Sequence, residues 1–225
     1  MKYLLIFFFI FSILQGNDDL DLDNGREIYE QTCISCHGVN GDSNTNMNLV
    51  VKPRQLRKTI LNQHQIYKVI KDGAREYGSK SDIMPSFKYV YSDEELQNVA
   101  YYVFTAFAKE QNSYYKKLEK EANLVTNLSL KKGKKFFTKK CSLCHGIKGD
   151  GESEYVEQSR GDINFIYPYN LQKIILDENQ IFLYSKFGGK HWGSHTNDMP
   201  SWKKYDDMTL KSISRYIKEN IINLK

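Results

Sequence analysis

The chain has 225 residues, of which 40% are hydrophobic and 26% charged, and its formal net charge is +5 at pH 7. Beyond the apolar run Leu4 to Leu14, no segment is apolar enough to enter a membrane, since a spanning helix takes about 20 apolar residues. This excludes a protein with several membrane spans. The charge is uneven, because residues 24–109 hold eleven basic and nine acidic residues, whereas residues 129–225 hold seventeen and eleven.

The first fourteen residues, MKYLLIFFFIFSIL, place one lysine before an eleven-residue apolar run. This pattern predicts a secretory signal over residues 1–16, with the small residue Gly16 before the cut. The alternative is an uncleaved N-terminal anchor. We expect a soluble periplasmic protein after cleavage. An exported protein seldom meets nucleic acid, so the basic surface favours docking onto an acidic protein partner.

The four cysteines fall in two copies of C-x-x-C-H, and none is left over: Cys33 and Cys36 with His37, then Cys141 and Cys144 with His145. Two thiols at this spacing can reach both vinyl groups of one haem on the same side, and the adjacent histidine brings a ring nitrogen beneath the iron. A zinc or thiol-redox site is the alternative for a single motif. Two copies behind an export signal predict two covalent haem c groups.

The chain is an internal repeat. At an offset of 108 residues the two C-x-x-C-H motifs coincide, and at an offset of 115 the block 53–88 aligns with 168–203, where 15 of 36 pairs are identical. Seven extra residues therefore lie between Gly151 and Pro168 in the second copy. The repeat predicts two domains, residues 24–109 and 129–225. Residues 110–128 are a linker that we expect to prolong the preceding helix.

The coarse secondary structure is all-α. Short helices, GREIYEQT and KGKKFFTK, lead into the cysteines, and longer helical stretches end at the glycine stops Gly73 and Gly188. A capping box at Ser92 begins the last helix of the first domain. The equivalent helix of the second domain begins near Asp207. No segment alternates with a period of two, so we expect little or no sheet.

The sixth iron ligand must come from elsewhere in each domain. Met84 and Met199 both lie in M-P-S-[FW], 47 and 54 residues beyond their histidines, and a thioether is a standard partner of histidine on electron-transfer haem. The alternative is that each is a core methionine. Competing candidates lack a counterpart in the other copy: Met47, Met208, His64, His191 and His195. The last two lie eight and four residues before Met199, and we expect them to rim the pocket; the alternative is that one of them replaces Met199 as the ligand.

Both halves resemble class I cytochrome c domains, and the tandem arrangement is similar to the dihaem cytochrome c4 family. The resemblance implies that Gly25 and Gly133 let the first helix of each domain cross the last closely, near Tyr102 and Tyr216. It also implies that the backbone carbonyls of Pro53 and Pro168 accept a hydrogen bond from the proximal histidines, which fixes the ring. The L-A-G-Q run of the c4 family is absent after the loop proline.

Two haems with His/Met ligation have no open position for substrate, so we expect an electron carrier rather than an enzyme. Its expected place is between a quinol-oxidising complex or periplasmic dehydrogenase and a terminal oxidase, with membrane association only through such partners. One alternative is a tightly bound cytochrome subunit of a flavin-dependent dehydrogenase. Another is a haem enzyme, such as a dihaem peroxidase or a thiosulfate dehydrogenase. The lysines around Cys141 predict that the second domain faces the acidic acceptor.

Overall fold

The computed structural model describes residues 20–47, 49, 52–81, 83–162, 165 and 167–222. The predicted signal, residues 1–16, lies outside the described residues. Within the described part of the chain, helices and loops occur and no strand does, so the all-α prediction is confirmed. A search of the same residues finds no helix that is both long and apolar enough to cross a bilayer.

The helices of the first half are α1 (Leu22–Ile28), α2 (Ile34–His37), α3 (Gln63–Asp72), α4 (Asp93–Val103) and α5 (Lys109–Asn123). Single π-helical turns join α1 to α2 and α4 to α5, at Tyr29–Cys33 and Phe104–Ala108. Short 3₁₀ helices lie at Leu56–Lys58 and Ala74–Tyr77. The predicted capping box is present, because the Ser92 hydroxyl accepts from the Glu95 amide and the Glu95 carboxylate accepts from the Ser92 amide.

The second half repeats this order with α6 (Leu130–Phe136), α7 (Ser142–His145), α8 (Glu154–Gln158), α9 (Glu178–Phe187) and α10 (Asp207–Asn220). A π-helical turn, Phe137–Cys141, again leads into the cysteine motif, and a 3₁₀ helix, Gly189–Trp192, follows α9. The helix α8 lies in the seven-residue insertion and its flank. It has no counterpart in the first half of the described chain.

In each domain the first helix crosses the last at a glycine. A Cβ on Gly25 would lie 2.2 Å from the Asn98 carbonyl oxygen of α4, and one on Gly133 would lie 2.2 Å from that of Ser212 in α10. Only a residue without a side chain allows two helix backbones to come this close. The aromatic residues at the two crossings are the predicted ones, Tyr102 and Tyr216.

The predicted linker is a docked helix rather than a free connector. The chain continues from α4 through the π-helical turn into α5, so the preceding helix is prolonged as expected. On α5, Tyr115 and Ala122 are buried in the core of the second domain. The Tyr115 hydroxyl donates to the Glu119 carboxylate at 3.0 Å and lies 3.3 Å from the carboxylate of Asp177, the N-cap of α9. The helix that leaves the first domain therefore packs as part of the second.

The two domains meet about an approximate two-fold axis. Gln65 and Gln180, which are equivalent in the repeat, exchange amide hydrogen bonds of 2.8 and 2.9 Å. Gln65 also donates to the carbonyl of Ile175 at 2.9 Å, and Gln180 donates to that of Ile60 at 2.8 Å. Each of these four hydrogen bonds has a counterpart between the equivalent residues. Equivalent segments of the two domains therefore face each other across the interface.

The helix crossing predicts that Gly133→Ala destabilises the second domain. Helix propensity alone would make alanine better by about 1 kcal/mol, but the new methyl would clash with a backbone carbonyl. Overpacking of this kind typically costs about 1–3 kcal/mol, so we expect a lower midpoint of denaturant unfolding. The control is Lys134→Ala, at an exposed position of the same helix. An unchanged or higher midpoint for Gly133→Ala would contradict the close crossing.

Candidate haem attachment sites

The cysteines of each motif lie at the junction of a π-helical turn and a short α-helix. Cys33 ends the first such turn and Cys141 the second, and none of the four thiols forms a disulfide. Burial, and then the neighbouring Cys36, raise the pKa of Cys33 to about 11, and burial with Cys144 raises that of Cys141 to about 12. Reactive redox cysteines have lowered pKa values, so this environment does not suit thiol–disulfide exchange.

The loop after each histidine is held by the same backbone hydrogen bonds in both copies. The carbonyl oxygen of His37 accepts from Ser43 at 2.9 Å, and that of His145 accepts from Gly151 at 2.8 Å. In the same loops, the carbonyl of Gly41 accepts from the Leu56 amide and that of Gly149 accepts from the Leu171 amide. Each leucine lies three residues after the loop proline. These bonds bring the proline segment against the histidine.

The ring of His145 is oriented by a backbone carbonyl. Its Nδ1 lies 3.0 Å from the carbonyl oxygen of Tyr169, which leaves Nε2 as the nitrogen that can bind iron. Burial lowers the pKa of His145, and the Tyr169 carbonyl opposes part of that shift. The imidazole is therefore neutral near pH 7, which is the form that binds a metal.

His37 has the same surroundings with looser geometry. Burial lowers its pKa to about 4, and the carbonyl of Arg54 acts in the opposite direction. Its buried Nδ1 makes no hydrogen bond of ordinary geometry with the described residues. Arg54 is the repeat equivalent of Tyr169, so the same chain position faces the histidine in both domains.

The prediction that Pro53 and Pro168 supply the carbonyls is therefore corrected by one residue. In the second domain the acceptor is Tyr169, and in the first the carbonyl that acts on His37 is that of Arg54. The register is set by the leucine two residues further on, whose amide is fixed to the glycine of the preceding loop. The carbonyl of Pro53 instead lies 3.0 Å from Nε2 of His195 in the other domain.

The two M-P-S-[FW] segments are fastened to the end of a helix in the same way. The carbonyl of Met84 accepts from the Ala74 amide at 3.1 Å, and that of Met199 accepts from Gly189 at 2.8 Å. Both side chains are half-buried, whereas Met47 and Met208 are 47% and 40% exposed. This placement suits Met84 and Met199 as the sixth ligands, which stay a prediction.

The histidines near Met199 have other contacts. His195 bonds across the domain interface to Pro53, and the ring of His191 stacks on Phe187 at 4.9 Å between centroids. His64 lies 6.1 Å from the ring of Tyr67, both on α3. The sequence does not signal the interdomain role of His195, because its repeat equivalent is Lys80, a residue of different chemistry.

The residues present fit a haem c in each domain. The donor set is two free thiols, one neutral imidazole whose outer nitrogen faces a carbonyl, and a thioether on a rigid loop. Among the described residues, no three His, Cys, Asp or Glu side chains are grouped to hold a bare metal ion. Cys33, Cys36 and His37 would hold one haem with Met84, and Cys141, Cys144 and His145 the other with Met199.

Comparison with known proteins places a cytochrome c domain in each half. The family model described as "Cytochrome C oxidase, cbb3-type, subunit III" matches residues 20–103, and that described as "Cytochrome c" matches residues 130–220. Cytochrome c6 of Gracilaria tenuistipitata var. liui is 29% identical over 118 residues, which are 51% of this chain and 100% of that protein. None of these descriptions names the cytochrome c4 family, which stays a prediction.

Comparison with solved structures returns a weak similarity at low sequence identity. The similar structure is a chain of the Kuenenia stuttgartiensis reducing HAO-like protein complex, at 20% identity and a TM-score of 0.48. The match covers 89% of this chain and 97% of that chain.

Replacement of a predicted sixth ligand tests the first site. Met84→His should leave the haem attached and lower one of two midpoint potentials, because histidine donates more strongly to ferric iron than a thioether does. The thioether-to-iron charge-transfer band should fall by about half, since one haem of two loses its methionine. The control is Met47→His, at an exposed methionine outside the repeat pattern. A full-strength band in the Met84 variant would remove Met84 from the ligand set.

Proposed function

We propose, from the premise that this chain consists of two tandem cytochrome c domains that each bind one haem c covalently, that it is an exported one-electron carrier. Its donor would be a quinol-oxidising complex or a periplasmic dehydrogenase, and its acceptor a terminal oxidase. The haem supplies an iron that alternates between the ferrous and ferric states. The chain's own residues hold that iron in place and provide the surface on which partners dock.

The observation that carries the proposal is that both sites are built alike. The histidine, the loop carbonyl that faces it and the M-P-S-[FW] anchor recur at equivalent positions in the two domains. An enzyme with two haems needs one of them to differ, with an open or exchangeable position for substrate. Two sites of the same construction suit electron transfer, in which the ligands stay bound throughout.

Export rests on the sequence alone. Residues 1–16 have the composition of a secretory signal, and haem c attachment to C-x-x-C-H fits an exported protein. Cell fractionation would test this step separately. The protein should be found in the periplasmic fraction, and retention in the membrane after a salt wash would favour the uncleaved anchor.

A partner surface surrounds the second attachment site. Its cations are all exposed and none forms an ion pair within the described part of the chain: Lys131, Lys132, Lys134, Lys135, Lys139, Lys140 and Lys148. Beside them Leu143 and Ile147 are each 62% exposed. Exposed apolar side chains and exposed cations within one short stretch of chain suit a protein docking surface. The charge selects an acidic partner.

The first domain presents a different surface at the same place. Along α1 and the turn after it, Arg26 is paired with Asp23 at 3.0 Å, and Glu27 and Glu30 are exposed. Val39, the equivalent of Ile147, is 70% exposed. Val39 is thus exposed and apolar like Ile147, but Ser35 stands where the second domain has Leu143 and the run of lysines is not repeated. This difference supports docking of the acidic acceptor at the second domain and of the donor at the first.

The decisive experiment is reactivity of the purified dihaem protein. A carrier should show two one-electron midpoints, bind carbon monoxide or cyanide slowly, and lack turnover of hydrogen peroxide or thiosulfate. Rapid carbon monoxide binding to one reduced haem, together with peroxide turnover, would instead establish a haem enzyme. Co-purification with a flavoprotein would favour the dehydrogenase subunit.

The docking surface predicts a charge-dependent rate. Changing Lys134, Lys135, Lys139 and Lys140 to Gln should slow oxidation by ferricyanide, an anionic probe, and flatten the dependence of that rate on ionic strength. The matched control removes the same charge elsewhere, at exposed positions of α5: Lys109, Lys116, Lys117 and Lys120. Stopped-flow rates over a salt series measure both variants. Equal losses in the two variants would show that only net charge matters.

A further inference from the structure

One pair of equivalent residues meets at the domain interface with unlike side chains. Arg54 and Tyr169 lie 115 positions apart, the repeat offset of this block. The guanidinium carbon of Arg54 lies 5.4 Å from the centre of the Tyr169 ring and 5.5 Å from that of Tyr184. An arginine of the first domain is thus held between two aromatic rings of the second.

The arginine is held by aromatic side chains rather than by a carboxylate among the described residues. Its Nη1 donates to the Tyr184 hydroxyl at 3.5 Å, and it forms no ion pair with a carboxylate of the described residues. Burial opposes the charge, but the phenol oxygens of Tyr184 and Tyr169 raise its pKa, so it remains protonated. Charges in such surroundings act over longer distances than exposed charges, because water does not screen them.

The same two residues face the two histidines through their backbones. The carbonyl of Arg54 acts on His37, and the carbonyl of Tyr169 lies 3.0 Å from Nδ1 of His145. The charged side chain therefore belongs to the residue whose carbonyl acts on His37, and it lies against the ring of the residue whose carbonyl faces His145.

We propose that Arg54 is a shared tuning residue, whose fixed charge at the interface raises the midpoint potentials of both haems. A positive charge disfavours the ferric state, which carries one more positive charge than the ferrous state. Because the side chain belongs to the first domain but is seated in the second, its effect reaches both sites. The inference rests on the presence of two haems and not on export or on the identity of the partners.

The test is a spectroelectrochemical titration of the dihaem protein carrying Arg54→Gln. Both midpoints should fall, and most of the fall should persist at 0.5 M NaCl, because salt screens a half-buried group less than an exposed one. Arg54→Lys keeps the charge but loses the planar stack on the rings, so its midpoints should lie closer to those of the unaltered protein. If the glutamine variant does not fold, Arg54→Met preserves the aliphatic stem between the rings and gives the same comparison.

The matched control is Arg57→Gln, which removes the same charge from an exposed position three residues away. Its midpoints should shift less, and the shift should vanish in high salt. The proposal is overturned if Arg54→Gln moves neither midpoint or only one, if Arg54→Lys moves them as far, or if Arg57→Gln has an equal, salt-resistant effect. None of these outcomes bears on carbon monoxide binding, which tests the carrier function separately.

Discussion

Each domain depends on a contact between two helix backbones. The crossings at Gly25 and Gly133 bring the first helix against the last with no side chain between them. This fixes where the first helix ends, and the π-helical turn that follows then presents the cysteines. The loop after each histidine then holds the segment that carries the facing carbonyl. A shift at the crossing would therefore move the attachment cysteines and the proximal histidine together.

The two copies share the contacts inside each domain but differ at several positions of the interface between them. Inside each domain the glycine crossing, the loop hydrogen bonds and the methionine anchor are shared. At the interface, Arg54 faces Tyr169 and Lys80 stands where the second copy has His195. Lys80 forms an ion pair with Glu152 of the second domain at 2.5 Å, and His195 bonds to the backbone of the first. Divergence at these positions gives the two sites different electrostatic surroundings on one scaffold.

The sequence was sufficient for features that depend on local chemistry or on repetition. The capping box at Ser92 follows from residue type and spacing, the helix crossings at Gly25 and Gly133 follow from the resemblance to class I cytochrome c domains, and the structure has both. The loop carbonyl was misplaced by one residue, because the proline marks the segment while the hydrogen bond of the following leucine sets its register. A single-residue error in an extended loop exchanges one carbonyl for the next, and residue type does not reveal which one faces inward.

Other features could not be read from a single chain because they are formed by distant segments. The docking of α5 onto the second core depends on Tyr115 and Ala122, whose spacing in a polar stretch looks like an ordinary linker helix. The role of Gln65 and Gln180 is equally hidden, since two aligned glutamines give no sign that they face each other. A contact between equivalent residues can be predicted only when the arrangement of the two domains is known, and the repeat alone does not give that arrangement.

The interface shows how a duplicated domain can bind its own copy and still diverge. Its mirrored contacts include two between backbones, from the Gln55 amide to the Gly193 carbonyl at 3.0 Å and from Asn170 to Gly78 at 2.8 Å. Backbone hydrogen bonds do not depend on side-chain identity, so Gln55 and Asn170 could differ without loss of the contact. The residues that accept these hydrogen bonds cannot be replaced so easily, because a Cβ on Gly78 would lie 2.3 Å from the Asn170 carbonyl oxygen. Gly78 and Gly193 thus allow the backbones of the two domains to come close. The side chains around them can differ between the copies, and so can the charge near each haem.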